Sequence, residues 1–123
     1  MGSGPPEQGS GDGVGTPERT GDGRFVLIAG RRWRAADPLL SEAVRDRLVR
    51  HLMSARRAVG AARRAADPAG ERAARARVQA AKEGLGERGT PWWELPPAAR
   101  RARWQSALNT LDAAPPHPEP PNT

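Results

Sequence analysis

The chain is 123 residues long, which leaves room for one small domain, and it carries 20 Lys and Arg against 14 Asp and Glu for a net charge of +6. It contains no Cys, so disulfides and thiolate metal sites are excluded. His51 and His117 are its only histidines and lie on dissimilar segments, so no clustered imidazole site is expected either.

A basic balance suits nucleic acid, an anionic membrane surface or an acidic partner. Nineteen of the twenty basic residues are Arg, however, and Ala reaches 22 by count. A joint Arg and Ala excess is also what a GC-rich coding genome produces without selection for a ligand. The total charge therefore says less than its distribution. The opening stretch MGSGPPEQGSGDGVG lacks the basic and apolar regions of a signal peptide. No apolar run approaches the roughly 18 residues of a membrane helix. A cytoplasmic protein with no membrane insertion is expected.

Residues 1–23 are mostly Gly, Pro, Ser, Asp, Glu and Thr and carry a net charge of −3. Such a segment cannot bury enough apolar surface to offset its ordering entropy, so it is expected to be disordered. The same holds for the Pro-rich end at 113–123, AAPPHPEPPNT. The expected domain is 24–112.

It opens with RFVLIAGRRWRA, an apolar β-prone run, Ala-Gly punctuation and a return anchored by Trp33: a β-hairpin. A two-residue turn at Ala29-Gly30 places Val26, Ile28 and Trp33 on one face and Phe25, Leu27, Arg32 and Arg34 on the other. A bulge at Gly30 instead brings Phe25, Leu27 and Trp33 together, since a one-residue slip exchanges the faces. An isolated hairpin is marginal, so one face is expected to pack on the helices.

Asp37-Pro38 can cap a helix, and Ser41-Glu42 offers a second start one turn later. From there Leu40, Val44, Leu48, Leu52, Ala55 and Val59 recur at helical spacing, with Val49 and Met53 widening the stripe. A first helix over 39–65 follows, weakened at Gly60 by roughly 1 kcal/mol relative to Ala. Asp67-Pro68 repeats the device and starts a second helix with the stripe Ala74, Val78, Ala81, Leu85 and an i,i+4 pair Glu71/Arg75. Gly84, Gly86 and Gly89 are read as its stop. The short link predicts an antiparallel helix pair. Pro91, Pro96 and Pro97 keep Thr90–Pro96 out of regular helix, and a third helix from Pro97 carries Trp104, Ala107, Leu108 and Leu111 inward. The predicted fold is α+β, mostly α: an N-terminal hairpin packed on a three-helix assembly.

Residues 24–66 hold eleven Arg against Asp37, Glu42 and Asp46, so the positive charge is concentrated there. On a helical wheel Arg50, Arg57 and Arg64 form one row opposite the apolar stripe, with Arg47 beside them. Arg31, Arg32 and Arg34 add charge from the hairpin. Such a face can follow phosphates, although no helix-turn-helix, zinc finger or aromatic RNA-binding strand motif accompanies it. Trp92-Trp93 between prolines can anchor a protein partner or close the core, and one ring of the pair is expected to do the latter. His51 reads as a surface histidine. Missing Cys, clustered His and a phosphate-cradling glycine motif leave neither nucleophilic nor metal chemistry a site, and no cofactor is expected.

The blocks GRFVLIAGRRWRAADP, LVRHLMSARRAVGAARR and ARARVQAAKEGLGERGTPWWE resemble a family of short, uncharacterised actinobacterial proteins, some labelled "biopolymer transporter Tol". The likeness covers about 24–105, with GRRWRAADP and LGERGTPWWE its most specific parts. Family members often have Asp-Gly where this chain has Ala29-Gly30, which favours the two-residue turn in the family. The label implies an energy-transducing system with membrane-spanning helices, which this sequence does not supply. The expected role is a non-enzymatic interaction or accessory module. A protein partner is expected first and nucleic acid second; only 21 large apolar residues lie in 24–112, a lean core with which self-association is compatible.

Overall fold

The structure is a computed structural model that describes residues 18–113. Most of both expected tails, 1–17 and 114–123, lies outside the described residues. The fold is α+β and mostly α: three short antiparallel strands are followed by three helices. They divide into two compact units, the first ending at Ala35 and the second beginning at Ala36.

The first unit is a sheet of strands β1 (Glu18–Arg19), β2 (Phe25–Ile28) and β3 (Arg31–Arg34) in that order. Its hairpin register pairs Val26 with Trp33 and Ile28 with Arg31, so the turn has two residues. Ala29 and Gly30 both hold positive φ, 53° and 79°, as the turn matching strand twist requires. Ala29 adopts this conformation against its steric preference. Arg31 lies over the Trp33 ring and Arg32 over the Phe25 ring, each 4.6 Å from the ring centre.

Strand β1 extends the sheet beyond the start expected at residue 24. Glu18 pairs with Leu27 and Arg19 with Val26. The β1–β2 turn is built from polar side chains: Thr20 Oγ1 donates to Asp22 Oδ1 (2.6 Å), which also accepts from the Arg24 amide (3.1 Å). These are the residue types that made 18–23 look disordered. They act instead as a side-chain-bonded turn.

The second unit contains helices α1 (Glu42–Arg64), α2 (Pro68–Leu85) and α3 (Pro97–Ala113), with a single 3-10 turn at Trp92–Glu94. Helix α1 begins at the later of the two candidate starts, where Ser41 Oγ accepts from the Val44 amide. Helices α1 and α2 are antiparallel. Leu48 and Leu52 near the start of α1 cluster with Ala81 and Leu85 near the end of α2, while Arg63 and Glu71 meet at the other end. Trp104, Ala107, Leu108 and Leu111 of α3 complete the core. Val49 and Met53 do not widen it, remaining 38% and 37% exposed. Beyond Leu52 the buried side of α1 is Ala55, Ala58 and Ala62.

Gly84 is not a stop signal. It lies inside α2, and a Cβ there would stand 2.7 Å from Ala107 Cβ and 2.9 Å from Leu48 Cδ2. The missing side chain lets three helices meet. Gly86 is the terminator: φ is +85°, its amide donates to the Glu83 carbonyl, and the Glu87 amide donates to the Lys82 carbonyl. The α1–α2 link uses Ala66 in the corresponding left-handed conformation, φ 53°.

Asp37 ties the helical unit together instead of capping α1. It is 3% exposed, and its carboxylate accepts both Arg100 Nε at 2.9 Å and Arg100 Nη2. It also accepts from the Leu39 amide at 2.8 Å, while its own amide donates to the Leu85 carbonyl at 2.8 Å. The Arg100 guanidinium lies 5.2 Å from the Trp92 ring centre. The segment before α1, the end of α2, the 3-10 turn and the start of α3 therefore share one charged node.

Removing one member of a buried pair leaves an unmatched charge, so Asp37→Ala should lower stability by about 3–5 kcal/mol in chemical denaturation. The Asp37→Leu/Arg100→Met double variant should recover much of that loss. Ala66→Gly relieves a left-handed alanine and should raise stability by about 1 kcal/mol in the same measurement.

Candidate functional site

Helix α1 carries seven Arg against Glu42 and Asp46. Its inner side is Leu and Ala, so the long cationic side chains fall on the remaining faces. Arg47, Arg50, His51, Ser54 and Arg57 line one shallow groove of about 390 Å³, closed on one side by Asp112 of α3. Three of the four α1 arginines expected to act together are thus neighbours. The fourth, Arg64, extends the row: its guanidinium lies over Gly60, 3.3 Å from where a Cβ would stand. Gly60 does not break the helix, and it leaves space for that cation.

Not every charge in this groove is equally available. Arg47 pairs with Asp112, whose other oxygen lies 2.7 Å from His51 Nε2. An ionised carboxylate only accepts, so Nε2 carries the hydrogen of that bond. His51 is therefore tied to α3 and is no isolated surface histidine. Among the described residues no ion pair involves Arg50, Arg57 or Arg64. Helix α2 adds Arg77, whose Nη2 reaches Ser54 Oγ at 3.5 Å. The arrangement suits holding an extended anion.

Arg31, Arg32 and Arg34 lie on β3 in the first unit, where Arg31 and Arg32 cover aromatic rings. Trp92 is 8% exposed and Trp93 half-buried, the two rings meeting edge to face at 5.2 Å. Trp92 stands against Gly86 and Arg100 and closes the helical unit. Among the described residues there is no group of three or more His, Asp or Glu placed to hold a metal ion. No described helix is long and apolar enough to cross a membrane.

Sequence reasoning missed Asp112 and Arg100, which act across 61 and 63 residues of chain. A lone Asp near a Pro-rich end and an Arg among three carry no local signal. It also missed a second basic cluster, formed by Arg56, Arg75, Lys82 and Arg88 between α1 and α2.

The hydrogen bond from His51 and the charge of Arg47 hold the Asp112 carboxyl below its ordinary value. A depressed folded-state pKa contributes stability above the unfolded value, about pH 4, and loses it as pH falls through the lower folded value. The α1–α3 contact at Asp112 should therefore persist to below about pH 4. Carboxyl NMR titration should show Asp112 moving back toward its ordinary value in His51→Ala, and by less in Arg47→Gln.

The chain matches no protein-family model, and neither a curated protein nor a solved structure shows significant similarity to it.

Proposed function

We propose that this protein is a non-enzymatic accessory module whose helical unit holds the phosphate backbone of nucleic acid along α1. The observation that carries this reading is the row formed by Arg50, Arg57 and Arg64 on one exposed helix face, with no carboxylate paired to any of the three among the described residues. Arginines seven residues apart rise about 10 Å along a helix, so the row presents spaced cations to a linear polyanion. Phosphate contacts of this kind bind without reading sequence. The burial of Trp92 supports the choice over a protein partner anchored on the tryptophan pair, because that ring is already committed to the fold.

Counterion release makes such binding salt-dependent, with a log–log slope of about −0.9 for each phosphate neutralised. Duplex DNA or RNA titrated at several salt concentrations should give a steep slope. The variant Arg50→Gln/Arg57→Gln/Arg64→Gln should flatten it by about two to three. All three positions are exposed, so the variant should keep its helical circular dichroism. A folded triple variant with the original slope would remove α1 as the contact surface.

A further inference from the structure

Helices α1 and α2 enclose a second groove on another side of α1. Arg56 enters it from α1, Arg75 and Lys82 from α2, and Arg88 from the loop that follows, above a floor of Val59 and Val78. The antiparallel register creates it by bringing Arg56 of α1 beside Arg75, Lys82 and Arg88, which follow one another along α2 and the loop after it. Its volume is about 370 Å³, and one side of it is open to solvent.

The geometry points to this groove as a binding site for a small phosphorylated compound carrying two or more phosphoryl groups, separate from the α1 row. Four cations converge on one concavity from three segments of chain. Arg88 is fixed in place: its Nη1 donates to Gln79 Oε1 at 2.8 Å, and Gln79 Nε2 in turn donates to Glu83 Oε2 at 3.0 Å. Arg75 is partly neutralised by Glu71, at 2.9 Å. Among the described residues Arg56 and Lys82 form no ion pair.

The electrostatics agree with the geometry. Burial pushes the Lys82 ammonium below its ordinary pKa, and repulsion from Arg88 and Arg56 adds to that. Glu87 opposes the shift, while burial pushes its own carboxyl above the ordinary value against the pull of Lys82, Arg56 and Arg88. A multiply charged anion in the groove would relieve the repulsion among Arg56, Lys82 and Arg88. The valine floor keeps water from one side of the site, which strengthens each charged contact. Guanidinium groups supply paired donors to phosphoryl oxygens and Lys82 a compact point charge, the division of labour that phosphate recognition uses.

Pyrophosphate is the probe, titrated into the full chain at low salt and followed by NMR of Arg and Lys side-chain resonances. Saturable one-to-one binding that moves Arg56, Lys82 and Arg88 is expected. Lys82→Gln should weaken it about tenfold, and so should Arg56→Gln, at an exposed position, which guards against a variant that fails to fold. Glu87→Gln removes the competing carboxylate and should tighten binding about threefold. The Arg50→Gln/Arg57→Gln/Arg64→Gln variant should bind pyrophosphate as the unaltered chain does, separating this site from nucleic-acid contact on α1. Non-saturable shifts spread over all arginines would overturn the assignment. So would unchanged affinity in folded Arg56→Gln and Lys82→Gln, or loss of binding in the triple variant.

Discussion

The helical unit depends on a carboxylate taken out of water. Asp37 is almost fully buried and sits where three helices and a 3-10 turn converge, with Arg100 meeting both its oxygens. A buried pair gives little net stability over well-packed hydrophobic residues, but either member alone is strongly destabilising. The pair therefore specifies geometry more than it adds stability. It ties the start of α3 to the segment before α1, and the Asp37 amide satisfies a carbonyl that α2 would leave open at Leu85. Gly86 belongs to the same constraint. A Cβ there would approach Asp37 Cβ to 3.0 Å and Trp92 Cδ1 to 3.2 Å, quite apart from its positive φ.

Both basic surfaces follow from the way α1 and α2 pack. The inner sides of the two helices are largely Leu and Ala, so the pair can approach closely without bulky side chains between them. The long side chains are nearly all arginines, and they remain for the outer faces and the groove edges. Consecutive residues on a helix point about 100° apart. Arg56 and Arg57 consequently serve different surfaces, one the groove against α2 and the other the row facing outward.

Features carried by local periodicity were legible in the sequence. The 3.6-residue stripe located α1 and α2, the cap-and-proline pair at Asp67-Pro68 marked the start of α2, and Trp104, Leu108 and Leu111 were placed inward in α3. The hairpin faces followed from one of two registers, and strand pairing selects between them. Where local patterns compete, a residue distant in sequence decides between them. Asp37-Pro38 and Ser41-Glu42 are both acceptable helix starts, and what decides between them is Arg100, 63 residues away. Gly84 resembles the stop glycines beside it until Ala107 and Leu48 are seen against it. Val49 and Met53 fit an apolar stripe by spacing but stay 38% and 37% exposed outside the core cluster. The α1 row was visible on a helical wheel, since it needs one helix alone. The Arg56–Lys82–Arg88 groove needs two helices in register and a loop folded over them, so no single-segment pattern contains it.

The unequal filling of the α1–α2 seam has a consequence for motion. Near Leu48 and Leu85 the seam holds leucines and is braced by Trp104, Leu108 and Leu111; toward Arg64 it holds Ala55, Ala58, Ala62 and Ala74. Alanine contacts bury little apolar area, so that end has less to lose by separating. Local openings should start at the Ala65–Asp67 link and run toward the leucines, with amide exchange slowing stepwise along both helices. The helix pair should then open as a hinged clasp does, last at the Asp37 end and first at the end that carries Arg64, once the Arg63–Glu71 pair parts.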